Sequence, residues 1–236
     1  MGDCINKVFK ISYTFLYFMR PYLRFGGIFM KKLIIGLHKF QSEVFPEKKL
    51  FFKNLAKEQN PEVLFITCSD SRINPNLLTS TEPGDLFIIR NAGNIIPKER
   101  IGSGEWATIE FGVFSLGIQH IVICGHSHCG VMQAVLNQSE IKKNMPLLRA
   151  WIENHVDPTL QLVHESYSNL DKQQLLDIVI QENVLKQVEN LKGHPGINDQ
   201  IEQKKLFLYA WIYEIGTGEI LSYDFHEGQF APVKKL

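Results

Sequence analysis

The chain has 236 residues and a mass of 27.1 kDa, with 44% apolar and 21% charged residues, which suffices for one α/β domain or two small ones. Its 25 basic and 25 acidic residues balance, and the resulting pI of about 7.1 excludes the basic surplus of a dedicated nucleic-acid-binding protein. Four cysteines are too few for a disulfide scaffold in a chain of this length, so we expect a reducing, cytoplasmic compartment.

Residues 1–29 mix basic side chains with apolar ones, a pattern that superficially resembles a signal peptide or a membrane anchor. The uncharged run from Ile11 to Met19 has only nine residues, against roughly 20 for a membrane span, and no small-x-small cleavage site follows it. We therefore expect no membrane anchor and interpret residues 1–29 as a dispensable N-terminal extension, with a weak secretory signal as the alternative. Residues 30–236 are predicted to form a single domain.

After the extension, the hydrophobic periodicity predicts helices first and then buried strands. Apolar residues return at helical spacing over residues 33–56 and predict two helices that break at Pro46. Short apolar, β-branched runs predict parallel strands over residues 63–67, 85–89 and 121–124.

The second half of the chain alternates further helical patterns with a final pair of strands. Ser103 is predicted to cap a helix that ends at Gly117, and Asp171 with Gln174 resembles the capping box of a long helix that ends at Gly193. The other helical patterns cover residues 129–136, 147–155 and 158–167, and the terminal strands cover residues 207–213 and 219–225. The fold class expected is α/β: a central, mostly parallel β-sheet with flanking helices and an antiparallel C-terminal edge strand.

Residues with metal-binding chemistry follow the first and third predicted strands. Because the carboxyl ends of parallel strands are where ligands bind in open α/β sheets, Cys68, His126 and Cys129 are expected to converge. Thiolate and imidazole are preferred zinc ligands, and a catalytic zinc takes three protein ligands and leaves the fourth position for water. We expect Gly125 to begin the turn after the third strand. His126 is preferred over His128 because a first helical turn over residues 126–129 would place positions three apart on one face.

Other interpretations of the same residues stay open at this point. Each cysteine taken alone is often a small core hydrophobe, and Cys124 within an apolar strand is interpreted in that way. A structural zinc would need a fourth ligand, and Asp70 is the residue that could supply it.

Asp70 and Arg72, two residues apart at the end of the first strand, form the next pair to explain. A guanidinium can hold a carboxylate ionised and oriented through paired hydrogen bonds, although an ordinary surface salt bridge is the simpler interpretation. An anionic Asp70 beside a zinc-bound hydroxide can only accept the hydroxide proton, and this aims an oxygen lone pair at an electrophile. The alternative is that Asp70 binds zinc and closes the site.

The segment Cys68–Arg72, followed 58 residues after Cys68 by His126–Gly130, resembles the double signature of the β-class carbonic anhydrases. Residues 82–87 and 90–94 are also similar to that family, and the resemblance runs from about Leu37 to Phe225. It implies one Zn²⁺ per chain, reversible hydration of CO₂ to bicarbonate by hydroxide attack, and a homodimer or a dimer of dimers.

The resemblance also implies an active site at the subunit interface, lined by Gln59, Phe87 and Phe111. Plant-like members carry Tyr where this chain has Phe111, so a polar role for that position is not expected.

Some members of the family close their Asp onto zinc and bind bicarbonate nearby, and these resemble a pattern with Trp and Gly before the first Cys. This chain has Phe65 and Thr67 at those places, although Arg90 and Tyr213 match the rest of the bicarbonate pocket. We therefore expect an open site.

Three alternative functions remain at this stage. A related zinc hydrolase could act on other linear triatomic molecules such as CS₂. A catalytically silent zinc-binding domain would keep the three ligands but would have little use for Asp70 and Arg72. A thiol or redox enzyme would use Cys68 or Cys129 without metal.

Overall fold

The computed structural model describes residues 28–137, 139, 141, 143–156 and 170–233, with side chains from residue 30 onwards. The proposed extension up to residue 27 and the predicted helix over residues 158–167 lie outside the described residues. The chain divides into two compact units between Glu58 and Gln59. A single domain over residues 30–236 therefore stays a prediction, and each unit is described by itself.

The first unit is helical, as its periodicity predicts. It contains α1 (Ile28–Lys39), a π-helical turn (Phe40–Val44), α2 (Phe45–Glu47) and α3 (Lys49–Leu55). The break predicted at Pro46 is wrong, because this proline lies in the first turn of α2, where its missing N–H and fixed φ are tolerated. The helical path is interrupted at Lys48 instead, which has φ −100° and ψ 21°.

The second unit contains a six-stranded sheet in the order β2-β1-β3-β4-β5-β6. Its strands are β1 (Val63–Cys68), β2 (Leu86–Asn91), β3 (His120–His126), β4 (Phe207–Tyr213), β5 (Ile220–Asp224) and β6 (Gln229–Pro232). Strands β1 to β4 pair in parallel, whereas β5 and β6 pair antiparallel at the C-terminal edge. The predicted fold class is confirmed, and β6 is an additional edge strand that the sequence patterns missed.

Strand β3 is longer than its apolar run. It continues through Gly125 and His126, which pair with Ile212 and Tyr213 of β4. The turn predicted at Gly125 is therefore wrong, because register with a neighbouring strand extends β3 beyond its last hydrophobic residue.

Helices surround this sheet and contribute to its core. They are α4 (Pro75–Thr79), α5 (Gly104–Glu110), α6 (Gly130–Leu136), α7 (Pro146–His155), α8 (Lys172–Lys192) and α9 (Pro195–Glu202), with a π-helical turn (Phe111–Ser115) after α5. The Ser103 side chain accepts a hydrogen bond from the Trp106 amide, and Asp171 with Gln174 forms a capping box, so both predicted helix starts are confirmed.

The core explains why β1 and β3 read as continuous apolar runs. Both strands are buried on both faces, with Phe65, Val122 and Cys124 packed on one side and the larger cluster on the other. Helix α8 packs closely on β3: a Cβ added at Gly125 would lie 2.7 Å from Cγ2 of Val184. Within the described ranges, no helix has the length and apolar character that crossing a membrane requires.

Candidate metal centre

Three buried side chains converge at the carboxyl ends of β1 and β3. The ligand atoms of Cys68, His126 and Cys129 all lie within 4.8 Å of one another, and the two sulfur atoms are 4.0 Å apart. These residues are 4%, 0% and 1% exposed, so all three are buried. At Zn–S distances of about 2.3 Å, a tetrahedral zinc separates two sulfur ligands by about 3.8 Å. The spacing of this cluster thus fits a zinc ion.

The backbone delivers each ligand from a fixed element. Cys68 ends β1, His126 ends β3, and Cys129 occupies the N-cap position of α6. The helical turn predicted over residues 126–129 is wrong, since His126 still belongs to the sheet and His128 has a left-handed φ of 56°. The cluster contains His126 rather than the exposed His128, as predicted, but strand geometry is the reason.

The His126 ring presents one nitrogen to the cluster. Its Nδ1 atom lies 2.9 Å from the Ser127 carbonyl oxygen, which can only accept, so Nδ1 carries the proton. Its Nε2 atom is therefore an acceptor, and it is buried without a hydrogen-bond partner. An orphaned acceptor beside two thiols is the state expected of a metal ligand, because buried polar atoms otherwise find partners.

The two cysteine ligands differ in acidity when no metal is bound. A hydrogen bond from the Cys129 thiol, with help from backbone amides, lowers the pKa of Cys68 to about 4. The same pairing and burial raise the pKa of Cys129. Cys124 contrasts with both, because burial alone raises its pKa to about 12, which agrees with the prediction of an inert core residue.

Asp70 and Arg72 form the predicted pair at the rim of this cluster. Asp70 Oδ1 accepts from the Arg72 amide at 3.0 Å and from Nε at 2.9 Å, and Oδ2 accepts from Nη2 at 2.7 Å. The guanidinium holds the pKa of Asp70 well below its usual range. Asp70 Oδ2 lies 3.9 Å from His126 Nε2, so an ionised carboxylate faces the metal-binding atoms.

Arg72 also joins two loops. Its Nη2 atom donates to the His128 carbonyl at 3.1 Å, which connects the segment after β1 to the turn after β3. The pair is therefore more than a surface salt bridge, because it connects the two segments that supply the cluster.

Arg90 has a role that the sequence did not reveal. Its Nε atom donates to the Cys68 carbonyl at 3.1 Å and its Nη2 atom to the Asp70 carbonyl at 2.7 Å. The resemblance placed Arg90 in an anion pocket, whereas here it braces the backbone on both sides of Ser69. Only the parallel pairing of β1 with β2 brings these residues together, so no local sequence signal could have shown it.

Of the predicted substrate residues, Phe87 lies away from the cluster of the same chain. The Phe87 and Phe111 rings pack against each other with centroids 6.1 Å apart, and Gln59 is exposed at the start of the second unit. In the register of β1 with β2, Cys68 pairs with Asn91, four residues after Phe87. At about 3.3 Å per residue, this offset is about 13 Å along the sheet. The chain by itself does not bring Phe87 to the metal ligands.

A mostly parallel α/β sheet, a buried three-residue cluster at the carboxyl ends of its parallel strands and an ionised carboxylate on the rim define a metalloenzyme-like site. The family model for carbonic anhydrase matches residues 63–220. A Synechococcus elongatus carbonic anhydrase is 46% identical over 193 residues, covering 81% of this chain and 71% of that protein. Carbonic anhydrase 1 of Escherichia coli O157:H7 is 40% identical over 205 residues, covering 86% and 92%.

Solved structures agree with these relatives. The β-carbonic anhydrase CcaA matches with a TM-score of 0.81 and 40% identity over 86% of this chain and 99% of that one. A tetrameric β-carbonic anhydrase from Sordaria macrospora matches with a TM-score of 0.72 and 27% identity, covering 83% and 97%. The chain belongs to the β-carbonic anhydrase family and is an enzyme of the carbonic anhydrase class.

Proposed function

We propose that the chain catalyses the reversible hydration of CO₂ to bicarbonate with one Zn²⁺ held by Cys68, His126 and Cys129. The convergence of their three ligand atoms within 4.8 Å carries this proposal, and the unpartnered Nε2 of His126 supports it. A zinc ion bound there supplies a Lewis acid that makes a water molecule nucleophilic, and two thiolate ligands make it a weaker acid than three imidazoles would. A fourth protein ligand is not needed for this chemistry.

Asp70 orients the nucleophile in this proposal. Because Arg72 keeps the carboxylate ionised, Asp70 can only accept a hydrogen bond from the O–H of the nucleophile. This hydrogen bond fixes the direction of the oxygen lone pair that would attack the carbon of CO₂. The three hydrogen bonds from Arg72 also hold Asp70 back from the ligand cluster. They support the open form of the site.

The substrate pocket is proposed to be shared between two copies of the chain. CO₂ is apolar and linear, and the paired rings of Phe87 and Phe111 offer an apolar wall with Gln59 as a hydrogen-bond donor. Phe87 lies about 13 Å along the sheet from the level of Cys68, so a second copy must bring these residues to each metal centre. Phe111 is 45% exposed, as expected of a ring that a partner covers. A homodimer or a dimer of dimers satisfies this requirement.

The cytoplasm is the compartment proposed for this enzyme. Cys68, Cys124 and Cys129 are all free thiols, and thiolate metal ligands persist most readily under reducing conditions.

The proposal is tested by stopped-flow CO₂ hydration with the zinc-loaded protein and an Asp70→Ala variant. The wild type is expected to hydrate CO₂, and the variant is expected to keep one zinc per chain while losing about a hundredfold in kcat, because the nucleophile loses its orientation. Asp199→Ala, an exposed carboxylate on α9, is the matched control and should retain full activity.

Each rival function has its own signature in this experiment. Full activity of Asp70→Ala contradicts the orienting role. A wild type with one zinc per chain and no CO₂ hydration is a silent domain, or a CS₂ hydrolase if it consumes CS₂ in the parallel assay. A wild type active without bound metal is a thiol enzyme.

A further inference from the structure

The loop of residues 92–97 lies beside the metal centre and has no regular secondary structure. Residues 93–97 within it are buried. A buried loop has backbone N–H and C=O groups that no strand or helix satisfies, and each one costs free energy unless a side chain pairs with it. The partners of this loop therefore show what holds it in place.

One face of helix α8 supplies several of these partners. Asn183 Nδ2 donates to the Gly93 carbonyl at 3.0 Å, and Gln187 Oε1 accepts from the Ile96 amide at 2.7 Å. Asn190 Nδ2 donates to the Ile96 carbonyl at 2.8 Å. Spacings of four and three residues place these three side chains on the same helix face.

The Asn183 side chain is oriented by a hydrogen bond from Gln187. Gln187 Nε2 donates to Asn183 Oδ1 at 3.0 Å, which fixes the amide so that its NH₂ group points to the Gly93 carbonyl. Both residues are 1% exposed, although amides on a helix are usually found at the surface. These hydrogen bonds join them to loop backbone groups and to each other rather than to the cluster side chains, so their burial needs another explanation.

Gly93 connects this arrangement to a metal ligand. Its amide N–H donates to Cys68 Sγ at 3.4 Å, while its carbonyl accepts from Asn183. Its φ of +86° favours glycine, and an added Cβ would lie 2.9 Å from Cε of Met132 on α6. This backbone conformation favours glycine, and Asn183 holds the Gly93 carbonyl through its hydrogen bond.

We propose that Asn183, oriented by Gln187, is a positioning residue for the metal centre: it fixes Gly93 so that the Gly93 amide holds the Cys68 thiolate. Groups behind metal ligands orient them and tune their electron donation. An N–H donated to a thiolate draws electron density from sulfur and restricts its direction. This inference rests on the metal site proposed above.

The test uses cobalt-substituted protein, in which sulfur-to-metal charge transfer gives an absorption band. Asn183→Leu removes the donor at nearly constant volume. We expect the band to move to longer wavelength, because a sulfur without its full hydrogen bond is more electron-rich, and the affinity for Zn²⁺ to fall roughly tenfold. Val179→Ala, a buried apolar change on α8, is the control for lost stability and should leave both quantities unchanged.

A second measurement does not depend on a variant that folds. In wild-type protein loaded with ¹¹³Cd, the Gly93 amide proton should show scalar coupling to the metal through Cys68 Sγ. Absence of this coupling, or an Asn183→Leu variant with the wild-type band and affinity, overturns the inference while leaving the metal site intact. Equal shifts in Val179→Ala also overturn it. A wild type that binds neither metal overturns the proposed function itself.

Discussion

Two residues of the Cys-His-Cys cluster have a hydrogen bond that orients their side chains. His126 is turned by the Ser127 carbonyl, and Cys68 is held by the Gly93 amide. Asp70 is oriented in a similar way, because the Arg72 guanidinium donates hydrogen bonds to both of its carboxylate oxygens. Pre-organised groups of this kind need little reorganisation during reaction.

The acidity of Asp70 leads to a prediction at this scale. Because Arg72 lowers its folded-state pKa, the carboxylate should remain ionised throughout mild acid. A group with a depressed folded pKa contributes stability above its unfolded value of about 3.9, and this stability is lost only as pH falls below that value. In a carbon-13 NMR titration, the Asp70 carboxyl shift should stay flat from pH 7 down to about 4.

Arg72→Gln provides the comparison for this titration. Without the guanidinium, the Asp70 midpoint should rise towards about 3.9. A wild-type midpoint at or above that value would show that Arg72 does not hold the carboxylate ionised.

At the scale of elements, local chemistry in the sequence predicted most of the structure. The helix starts at Ser103 and Asp171 were predicted correctly, because an N-cap motif depends on only three or four neighbouring residues. Strands β1 and β2 were found with their ends off by one or two residues. The misses were short elements such as α4 and β6, which contain too few residues for a period to show.

The extension of β3 through Gly125 gives a prediction about packing. A Cβ at this position would lie 2.7 Å from Val184 Cγ2 and 3.2 Å from Ile212 Cδ1, so these packed side chains must shift to admit it. Gly125→Ala is expected to lower the free energy of unfolding by about 1–3 kcal/mol in urea titrations.

Gly104→Ala is the matched control for this substitution. An added Cβ there meets nothing within 4 Å, and reduced chain entropy in the unfolded state should stabilise the protein by about 0.4–1 kcal/mol. Equal effects of the two substitutions would contradict the close approach of α8 to β3.

At the scale of the whole molecule, the sequence predicted the residues of the buried Cys-His-Cys cluster but not the contacts around them. Cys68, His126 and Cys129 carry a distinctive chemistry at neighbouring strand ends, so they could be predicted. The braces supplied by Arg90 and Asn183 could not, because both arise from residues that are distant in sequence and ordinary in type.

The proposed sharing of each site between two copies predicts the behaviour of mixed dimers. Asp70→Ala and Phe87→Ala dimers should each have little activity. A dimer with one subunit of each kind has one site with both changes and one with neither, so it should recover about half of the wild-type activity.

Zinc content is the control for the mixed dimers. Phe87→Ala should retain full zinc, because Phe87 lies about 13 Å along the sheet from the level of Cys68 in its own chain. A mixed dimer no more active than the mean of its parents, or an active monomer, would contradict the shared site.

The metal centre itself is tested most directly by X-ray absorption at the zinc edge of the purified enzyme. The account predicts one zinc per chain with two sulfur ligands at about 2.3 Å, one nitrogen at about 2.0–2.1 Å and one further light atom from solvent. Protein without bound zinc would contradict the account, and so would a zinc ion with no sulfur ligand or with four sulfur ligands.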